Sequence, residues 1–386
     1  MYIRKKNLLL LSLLFSISIF SKNIEEVVVK GEFREKSISE EDSSILIIQS
    51  EKIKSQAIKH FQQLSYLVPN LNYAASDSRA RYFQIRGIGE RSGYQGTPNS
   101  SVGFLIDDID YSGQGGIATL FDVDQVEVFR GPQGSRTGAN ALAGLIYIKT
   151  KDPTDKFEGT SELTLGDYGT QNIGVAFGGP LKNEKMKYRL VVRTDYADGF
   201  RKNIYLNKSD TSKKDELTLR YKLYWEIDET TNINFLVSKV DMDDPADIWT
   251  IDGSLNTLSD RPGMDSQNTN SYGIKITKDF SNFIVQSLTS ATKTDVIFSY
   301  DADWGNADSH FPYVYDYFLN QYYKIAFGLR WENWDSKYKD SNNESFSPSN
   351  NMNGGKISLV KNRNNSNTFF SIARGYKQGG FNLGLD

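Results

Sequence analysis

Side chains suited to catalysis or metal binding are few in this sequence and are poorly spaced for either task. His60 and His310 are the only histidines, too few for a histidine-based metal site or a convincing acid–base pair. The chain has no cysteine, so it has neither a thiolate nucleophile nor a disulfide. We therefore expect a protein that is not an enzyme.

Two groups of carboxylates could still carry chemistry. Asp107, Asp108 and Asp110 fall between apolar segments, a context typical of a turn between strands. The second group could hold a calcium ion, but it lacks the glycine and the terminal glutamate of an EF-hand loop; it consists of Asp241, Asp243, Asp244 and Asp247. A solvated acidic loop is the preferred interpretation of this second group.

Glycine-rich segments could in principle bind phosphates. Gly87 and Gly89 are followed by glycine only at Gly93, so the dinucleotide-binding spacing fails. The segment GPQGSRTG, which starts at Gly131, lacks the Lys-Ser/Thr pair of a P-loop. These glycines favour tight turns, and we expect no cofactor and no bound metal.

The N-terminus predicts export. Arg4, Lys5 and Lys6 precede an apolar and serine-containing run from Leu8 to Phe20, which is too short to span a bilayer as a helix. This is the pattern of a signal peptide over residues 1–21. Its removal would leave 42 Lys and Arg residues against 48 Asp and Glu residues, and this balance argues against nucleic acid as a partner.

Up to about Pro153, the sequence predicts a small α+β unit. Ser50 is a suitable N-cap, and the apolar residues that follow it predict short amphipathic helices ending before Pro69. Four short β-rich segments follow, separated by glycine-dense loops: Tyr82–Ile85, Val102–Ile106, Val126–Phe129 and Leu145–Lys149.

From Phe157 onward, apolar and polar residues alternate over long segments. Leu217 and Tyr221 fall on one face of a strand, whereas Arg220 and Lys222 fall on the other. A period of two over about ten residues suits membrane β-strands that point apolar side chains toward lipid. A soluble sheet with one wet face is the alternative.

Connection lengths also fit a membrane barrel, which alternates short turns with long outer loops. The predicted short connections are Pro180–Lys185, Asp228–Thr231 and Ser281–Asn282, and the long ones are Asp198–Ser212 and Met242–Asn270. The alternation fails when Tyr322–Trp334 is taken as one strand, because another long connection follows it. About ten strands are too few to surround a folded unit, so we expect a shortened chain with a gap near residue 320 and a missing C-terminal part.

Three motifs carry a specific resemblance to a known family. They begin at Tyr82, Val102 and Phe121 and read YFQIRGIGE, VGFLIDDIDYSG and FDVDQVEVFRGPQGSRTGANALAGLIYIKTKDP. In this order they resemble the plug domain of TonB-dependent outer-membrane receptors, although Thr137 stands where that family usually has tyrosine. The resemblance implies a signal peptide (1–21), a TonB box and linker (22–39), an α+β plug domain (40–153) and a partial antiparallel transmembrane β-barrel (154–386).

The resemblance also assigns roles to individual residues. The family's TonB box, which pairs with TonB by strand addition, matches Ile24, Glu25, Glu26, Val27, Val28 and Val29. Arg86 and Arg130, with Glu127 nearby, match plug residues that contact barrel carboxylates, and a plain surface salt bridge is the alternative. Two plug-apex loops would face the ligand through Arg91, Tyr94, Gln95, Tyr111 and Gln114, although an ordinary loop role remains open for each.

The resemblance implies active uptake across the outer membrane of a Gram-negative bacterium. The ligand would be a ferric siderophore or other iron complex, and TonB, energised by ExbB and ExbD, would pull on the N-terminal segment to displace the plug. Outer-membrane lipid would be the other partner. The alternatives are a passive outer-membrane binding or sensing protein, a truncated remnant that does not transport, and a secreted soluble enzyme.

Overall fold

The structure is a computed structural model. It describes residues 27–32, 36–40, 43–75, 79–91, 100–137, 140–182, 184–250, 252–301 and 304–306, together with the backbone of the strands between residues 322 and 374. The predicted signal peptide and the region around residue 320 lie outside these described residues. No helix in the described part of the chain is both long enough and apolar enough to cross a bilayer.

The first part of the chain forms short strands and helices around a five-stranded sheet of order β3-β8-β9-β6-β7. The strands are β1 (Val28–Val29), β2 (Lys36–Ser37), β3 (Ser44–Gln49), β4 (Leu71–Ala75), β5 (Ala80–Ile85), β6 (Val102–Ile106), β7 (Ile109–Asp110), β8 (Val123–Arg130) and β9 (Gly144–Thr150). The α-helices are α1 (Ser50–Ser55), α2 (Phe61–Leu64) and α3 (Gly134–Thr137). Single 3-10 turns span Ile38–Glu40, Ser65–Leu67 and Gly115–Ile117. We call residues 43–150 the inner unit.

The four β-rich segments predicted from the sequence fall on β5, β6, β8 and β9, whereas β3, β4 and β7 were not predicted and the first helix cap was misplaced. Strand β6 has the predicted bounds. The N-cap of α1 is Gln49, whose backbone is extended, rather than Ser50. Ser50 already belongs to the helix, and its hydroxyl donates to the Glu51 carboxylate instead of capping a backbone amide.

Aromatic side chains form the centre of the inner unit. The rings of Phe61, Phe83 and Phe104 contact one another, with centroids 5.2 to 5.6 Å apart. Leu236 and Val240, which lie outside the inner unit, join the same buried cluster. The inner unit therefore shares its core with the second part of the chain.

The second part of the chain is one antiparallel sheet of eleven described strands, which we call the wall sheet. In sheet order they are β10 (Glu158–Leu165), β11 (Gln171–Pro180), β12 (Met186–Ala197), β14 (Lys214–Asp228), β15 (Thr231–Ala246), β17 (Gly263–Phe280), β18 (Phe283–Ser299), β19 (Tyr322–Phe327), β20 (Leu329–Asp335), β23 (Ser349–Arg363) and β24 (Ser366–Arg374). Two small pairs lie in its loops: β13 (Lys202–Asn203) with β16 (Asn256–Thr257), and β21 (Tyr338–Lys339) with β22 (Ser345–Phe346).

The two faces of the wall sheet are those that the alternation predicts. In β14, Glu216, Thr218, Arg220 and Lys222 are buried, whereas Tyr221 is 37% exposed. The polar side chains are covered because this face lies against the inner unit, and the apolar face points outward. Antiparallel strands with apolar residues outward are what the barrel expectation requires.

The short connections agree with the sequence, but one long connection is shorter than expected. Strand β15 continues to Ala246 and pairs with Gly263 of β17, so the loop between them spans only 247–262. The interpretation of Asp241, Asp243 and Asp244 as part of a solvated loop was therefore wrong. Asp244 is buried in β15, and its charge faces cations rather than water.

Tyr322–Trp334 is not the single strand that the alternation predicts. It is a hairpin in which β19 and β20 pair antiparallel, with Tyr322 opposite Trp334. Apolar and polar residues alternate through both strands, so the alternation carries no sign of the reversal, and Gly328 is the sequence signal between the two strands. The reversal places the next long connection at the same end of the wall sheet as the other long loops.

Candidate functional site at the interface between the inner unit and the wall

At the long-loop end of the wall sheet, two arginines of the inner unit meet wall carboxylates. Arg79 Nε lies 2.7 Å from Asp244 Oδ2, and its Nη1 lies 2.8 Å from Glu216 Oε2. Arg81 forms an ion pair with Asp265, and its Nη1 donates to Gln267 Oε1 at 2.9 Å.

These contacts are buried. Arg79 and Arg81 are 5% and 6% exposed. Burial lowers the pKa of Arg79, but the adjacent Glu216 and Asp244 carboxylates outweigh burial and hold its pKa above the ordinary arginine value. A buried charge without such partners would be strongly unfavourable, so the ion pairs are a condition for this packing.

At the short-turn end, the signs are reversed. Wall cations here meet inner-unit carboxylates: Lys222 Nζ lies 2.9 Å from Asp107 Oδ1, and Lys275 Nζ lies 3.2 Å from Asp108 Oδ2. Arg189 forms a two-point contact with Asp122, with Nε to Oδ2 at 2.7 Å and Nη2 to Oδ1 at 2.5 Å.

The first two of these carboxylates lie in a strained turn. Asp107 and Asp108 connect β6 and β7 and have φ values of 47° and 72°. Aspartate tolerates this left-handed region better than most residues, so the turn of the β6–β7 hairpin and the ionic contact select the same residue type.

An aromatic side chain of the inner unit also inserts into the wall. Phe121 packs on Ala176 and Val191, and the Arg193 guanidinium lies 5.4 Å from the centre of its ring. A Cβ on Gly174 would lie 2.8 Å from this ring, so the wall strand needs glycine at the contact.

A cavity of about 470 Å³ separates the two parts near the short-turn end. Lysines and carboxylates from both sides line it, among them Lys30, Asp107, Asp108, Lys149, Lys222 and Lys275. The interface is therefore tightly paired at the long-loop end and contains a charged gap at the other end.

The N-terminal segment lies beside this cavity. Val28 and Val29 form β1, which pairs with β2. The Glu127 carboxylate accepts hydrogen bonds from the backbone N–H groups of Lys30, at 2.6 Å, and Gly31, at 2.9 Å. Ile24, Glu25 and Glu26 of the predicted TonB box lie outside the described residues.

The residues expected to join plug and barrel occupy different surroundings. Glu127 is fully buried and contacts the N-terminal segment. Arg86 is exposed, has a φ of 54° and donates to the Ser44 hydroxyl at 3.4 Å, while Arg130 ends β8 opposite Ser44 and Gly144. A barrel-contacting role for these three residues stays a prediction.

Two of the residues expected to face the ligand are covered by the wall. The Gln114 amide oxygen accepts a hydrogen bond from the Thr294 hydroxyl at 2.8 Å, and Gln114 is 3% exposed. Tyr111 is also buried, and burial raises the pKa of its phenol to about 12. Arg91 is exposed, whereas Tyr94 and Gln95 lie outside the described residues. Ligand contact by these residues stays a prediction.

A family model described as TonB-dependent Receptor Plug Domain matches residues 37–145, which cover nearly all of the inner unit. The chain carries the plug domain of a TonB-dependent receptor. From here on, we call the inner unit the plug.

The chain is also similar in sequence to known receptors and transporters. The chain is 27% identical over 158 residues to the vitamin B12 transporter BtuB of Vibrio vulnificus, a match that covers 38% of this chain and 26% of the relative. It is 24% identical over 143 residues to the ferripyoverdine receptor of Pseudomonas aeruginosa, covering 37% of this chain and 17% of that receptor. The matched region thus spans about a quarter or less of these relatives.

Solved structures extend the likeness through the wall. The ferric yersiniabactin uptake receptor FyuA from Yersinia pestis aligns over 89% of this chain and 66% of its own, with a TM-score of 0.65 and 15% identity. A pyoverdine-bound FpvA of P. aeruginosa aligns over 88% of this chain and 52% of its own, with a TM-score of 0.64 and 14% identity. These structures show that plug and wall together have the receptor fold.

Sequence reasoning missed most of the residues that join plug and wall. Arg79 and Arg81 lie outside the three motifs, and Asp122, although it lies in the motif that begins at Phe121, carries no sign of its partner Arg189. The alternation of β14 did place its charged residues on the covered face, but it could not say which plug residue each one meets. In the described residues, no group of three or more His, Cys, Asp or Glu side chains is arranged to hold a metal ion.

Proposed function

We propose that this chain acts in TonB-dependent uptake of a large nutrient ligand across the outer membrane of a Gram-negative bacterium. The observation that carries the proposal is the placement of the N-terminal segment. An extended β1, within the predicted TonB box, is bound to a plug that ion pairs attach to the wall. A pull on β1 would thus act on the plug.

The chemistry of the interface supports a removable plug. Plug and wall are joined largely by ion pairs and hydrogen bonds, and a charged cavity already separates them at the short-turn end. Polar contacts can be exchanged for water as the plug moves, whereas a continuous apolar interface would resist separation more strongly. The named relatives include a vitamin B12 transporter and a ferripyoverdine receptor, which favours a large polar ligand such as a ferric siderophore.

The test uses strand addition, which requires a free backbone N–H. Val28→Pro removes that N–H, and Val28→Thr is the matched control because it keeps the N–H and the β-branched shape. We expect the proline variant of an N-terminal peptide to lose measurable binding to the periplasmic domain of TonB in calorimetry. The threonine variant should bind within a few-fold of the parent.

Equal affinity of all three peptides would show that the segment is only a linker. Ligand uptake by cells that persists without TonB would instead support the passive outer-membrane protein. In that case the receptor fold would serve binding or sensing rather than energised transport.

A further inference from the structure

Both backbone edges of the N-terminal segment are occupied. On one edge, Val27 C=O accepts a hydrogen bond from Ile38 N–H at 3.0 Å, and β1 pairs with β2. On the other edge, Val28 C=O accepts from Gln125 Nε2 at 2.8 Å. Because peptide groups alternate in direction along a strand, the Lys30 N–H points to this second edge, where Glu127 receives it.

Glu127 holds two consecutive amides with one carboxylate. Oε1 accepts from Lys30 N–H at 2.6 Å and Oε2 from Gly31 N–H at 2.9 Å, while Gln125 Nε2 donates to Oε1 at 2.5 Å. Hydrogen bonds to an ionised acceptor are stronger than those between neutral groups. The carboxylate is fully buried, so loss of the two backbone amides would remove two charge-assisted hydrogen bonds from a site that water does not reach.

Gly31 is required for this contact. A Cβ built at this position would lie 2.7 Å from Phe129 Cε2, 2.8 Å from Glu127 Oε2 and 3.0 Å from Tyr147 Cγ. A larger residue would push the segment away from Glu127, although it adds no charge and changes nothing on β8.

The same contact continues to the wall. Tyr147, which packs on Gly31, donates its hydroxyl to Asp108 Oδ1 at 3.2 Å, and Asp108 Oδ2 accepts from Lys275 of β17. Lys30, Tyr147, Asp108 and Lys275 all line the 470 Å³ cavity. These contacts therefore form a continuous series from the N-terminal segment to wall strand β17, along the cavity between plug and wall.

We propose that Glu127 is a carboxylate clamp that keeps the N-terminal segment paired on both edges, so that TonB can add a strand only after Lys30 and Gly31 leave Glu127. The inference rests on the proposed function, because it concerns access of TonB to the segment. The clamp controls when the segment is available to TonB. The Tyr147–Asp108–Lys275 contacts link release of the segment to the cavity between plug and wall.

The absence of native cysteine allows a direct test of release in the full chain. A single cysteine introduced by Val29→Cys reports release of the segment through its rate of reaction with a charged maleimide, because Val29 is fully buried while the segment is docked. We expect Glu127→Ala and Gly31→Ala, each combined with V29C, to raise this rate at least about tenfold, which corresponds to about 1.4 kcal/mol of lost docking. The affinity of TonB should rise by a similar factor in both variants.

Asp124→Asn is the matched control. It removes the contact between Asp124 and the Lys30 ammonium, at 2.6 Å, but leaves the backbone clamp intact. This half-exposed pair contributes little, so we expect less than about a twofold change in labelling. A cysteine placed at Ile146, which is fully buried in β9, must stay unreactive in every background, since its reaction would signal unfolding of the plug.

Rapid labelling of V29C in the parent, or unchanged labelling in both the Glu127→Ala and Gly31→Ala variants, would overturn the clamp. Unchanged labelling with intact TonB binding would remove the clamp and leave the proposed function standing. Faster labelling without tighter TonB binding would contradict the control of access, and no TonB binding in any variant would contradict the proposed function itself.

Discussion

At the scale of single residues, ionic partners decide how the plug sits in the wall. Arg79 meets two carboxylates that are themselves buried, and Asp122 meets Arg189 through both of its oxygens. Pairs of this kind contribute little net stability when complete, but removal of one partner leaves an uncompensated buried charge. Their main effect is to make one position of the plug much lower in free energy than any other.

Arg79→Ala should therefore be strongly destabilising. Glu216 would lose its buried cation and Asp244 would keep only Lys214, so we expect a loss of about 3–5 kcal/mol in urea unfolding followed by protease protection of the plug. Lys187→Ala is the control, because its partner Asp155 is largely exposed and such a pair contributes about 1 kcal/mol or less. Equal effects of the two substitutions would mean that the Arg79 contacts do not hold the plug.

At the scale of elements, local patterns predicted strands and turns better than they predicted contacts. β6 and the short connection between β17 and β18 follow directly from the alternation and from turn residues. The alternation does not predict the hairpin of β19 and β20, because it continues through the reversal and only Gly328 separates the two strands in the sequence. The sequence predicts Asp244 in a solvated loop, because residue type alone does not distinguish a solvated aspartate from a buried one that is paired with a cation of another strand.

The contact of β11 with Phe121 gives a second prediction. Gly174→Ala puts a Cβ 2.8 Å from the ring, so either the plug or the strand must shift. Overpacking of this kind costs about 1–3 kcal/mol, which should appear in the same unfolding measurement. In Gly166→Ala, the matched control, the nearest atom would be a Thr170 atom at 3.4 Å, an ordinary contact, and we expect little change. No difference between the two variants would place Phe121 outside the interface.

At the scale of the whole molecule, charge is arranged along the height of the interface. Plug cations meet wall anions at the long-loop end, and plug anions meet wall cations at the short-turn end. An inverted plug, or one shifted by half its height, would bring like charges together. The arrangement thus specifies the orientation of the plug, and this property could not be predicted from either part of the sequence alone.

The edges of the wall sheet provide the last prediction. In the part of the chain that the structure describes, β10 and β24 are the end strands of the sheet order and are not paired with each other. An unpaired strand edge in hydrocarbon leaves N–H and C=O groups without partners, at several kcal/mol for each group. We therefore expect residues 1–386 in a membrane to have both edges satisfied, either by self-association or by direct pairing of β10 with β24, and to give a compact heat-modifiable band on unboiled gels. Absence of such a band would contradict this expectation. Crosslinking between single cysteines placed in those two strands would separate these cases, because direct pairing gives crosslinks within one chain and self-association gives crosslinks between chains.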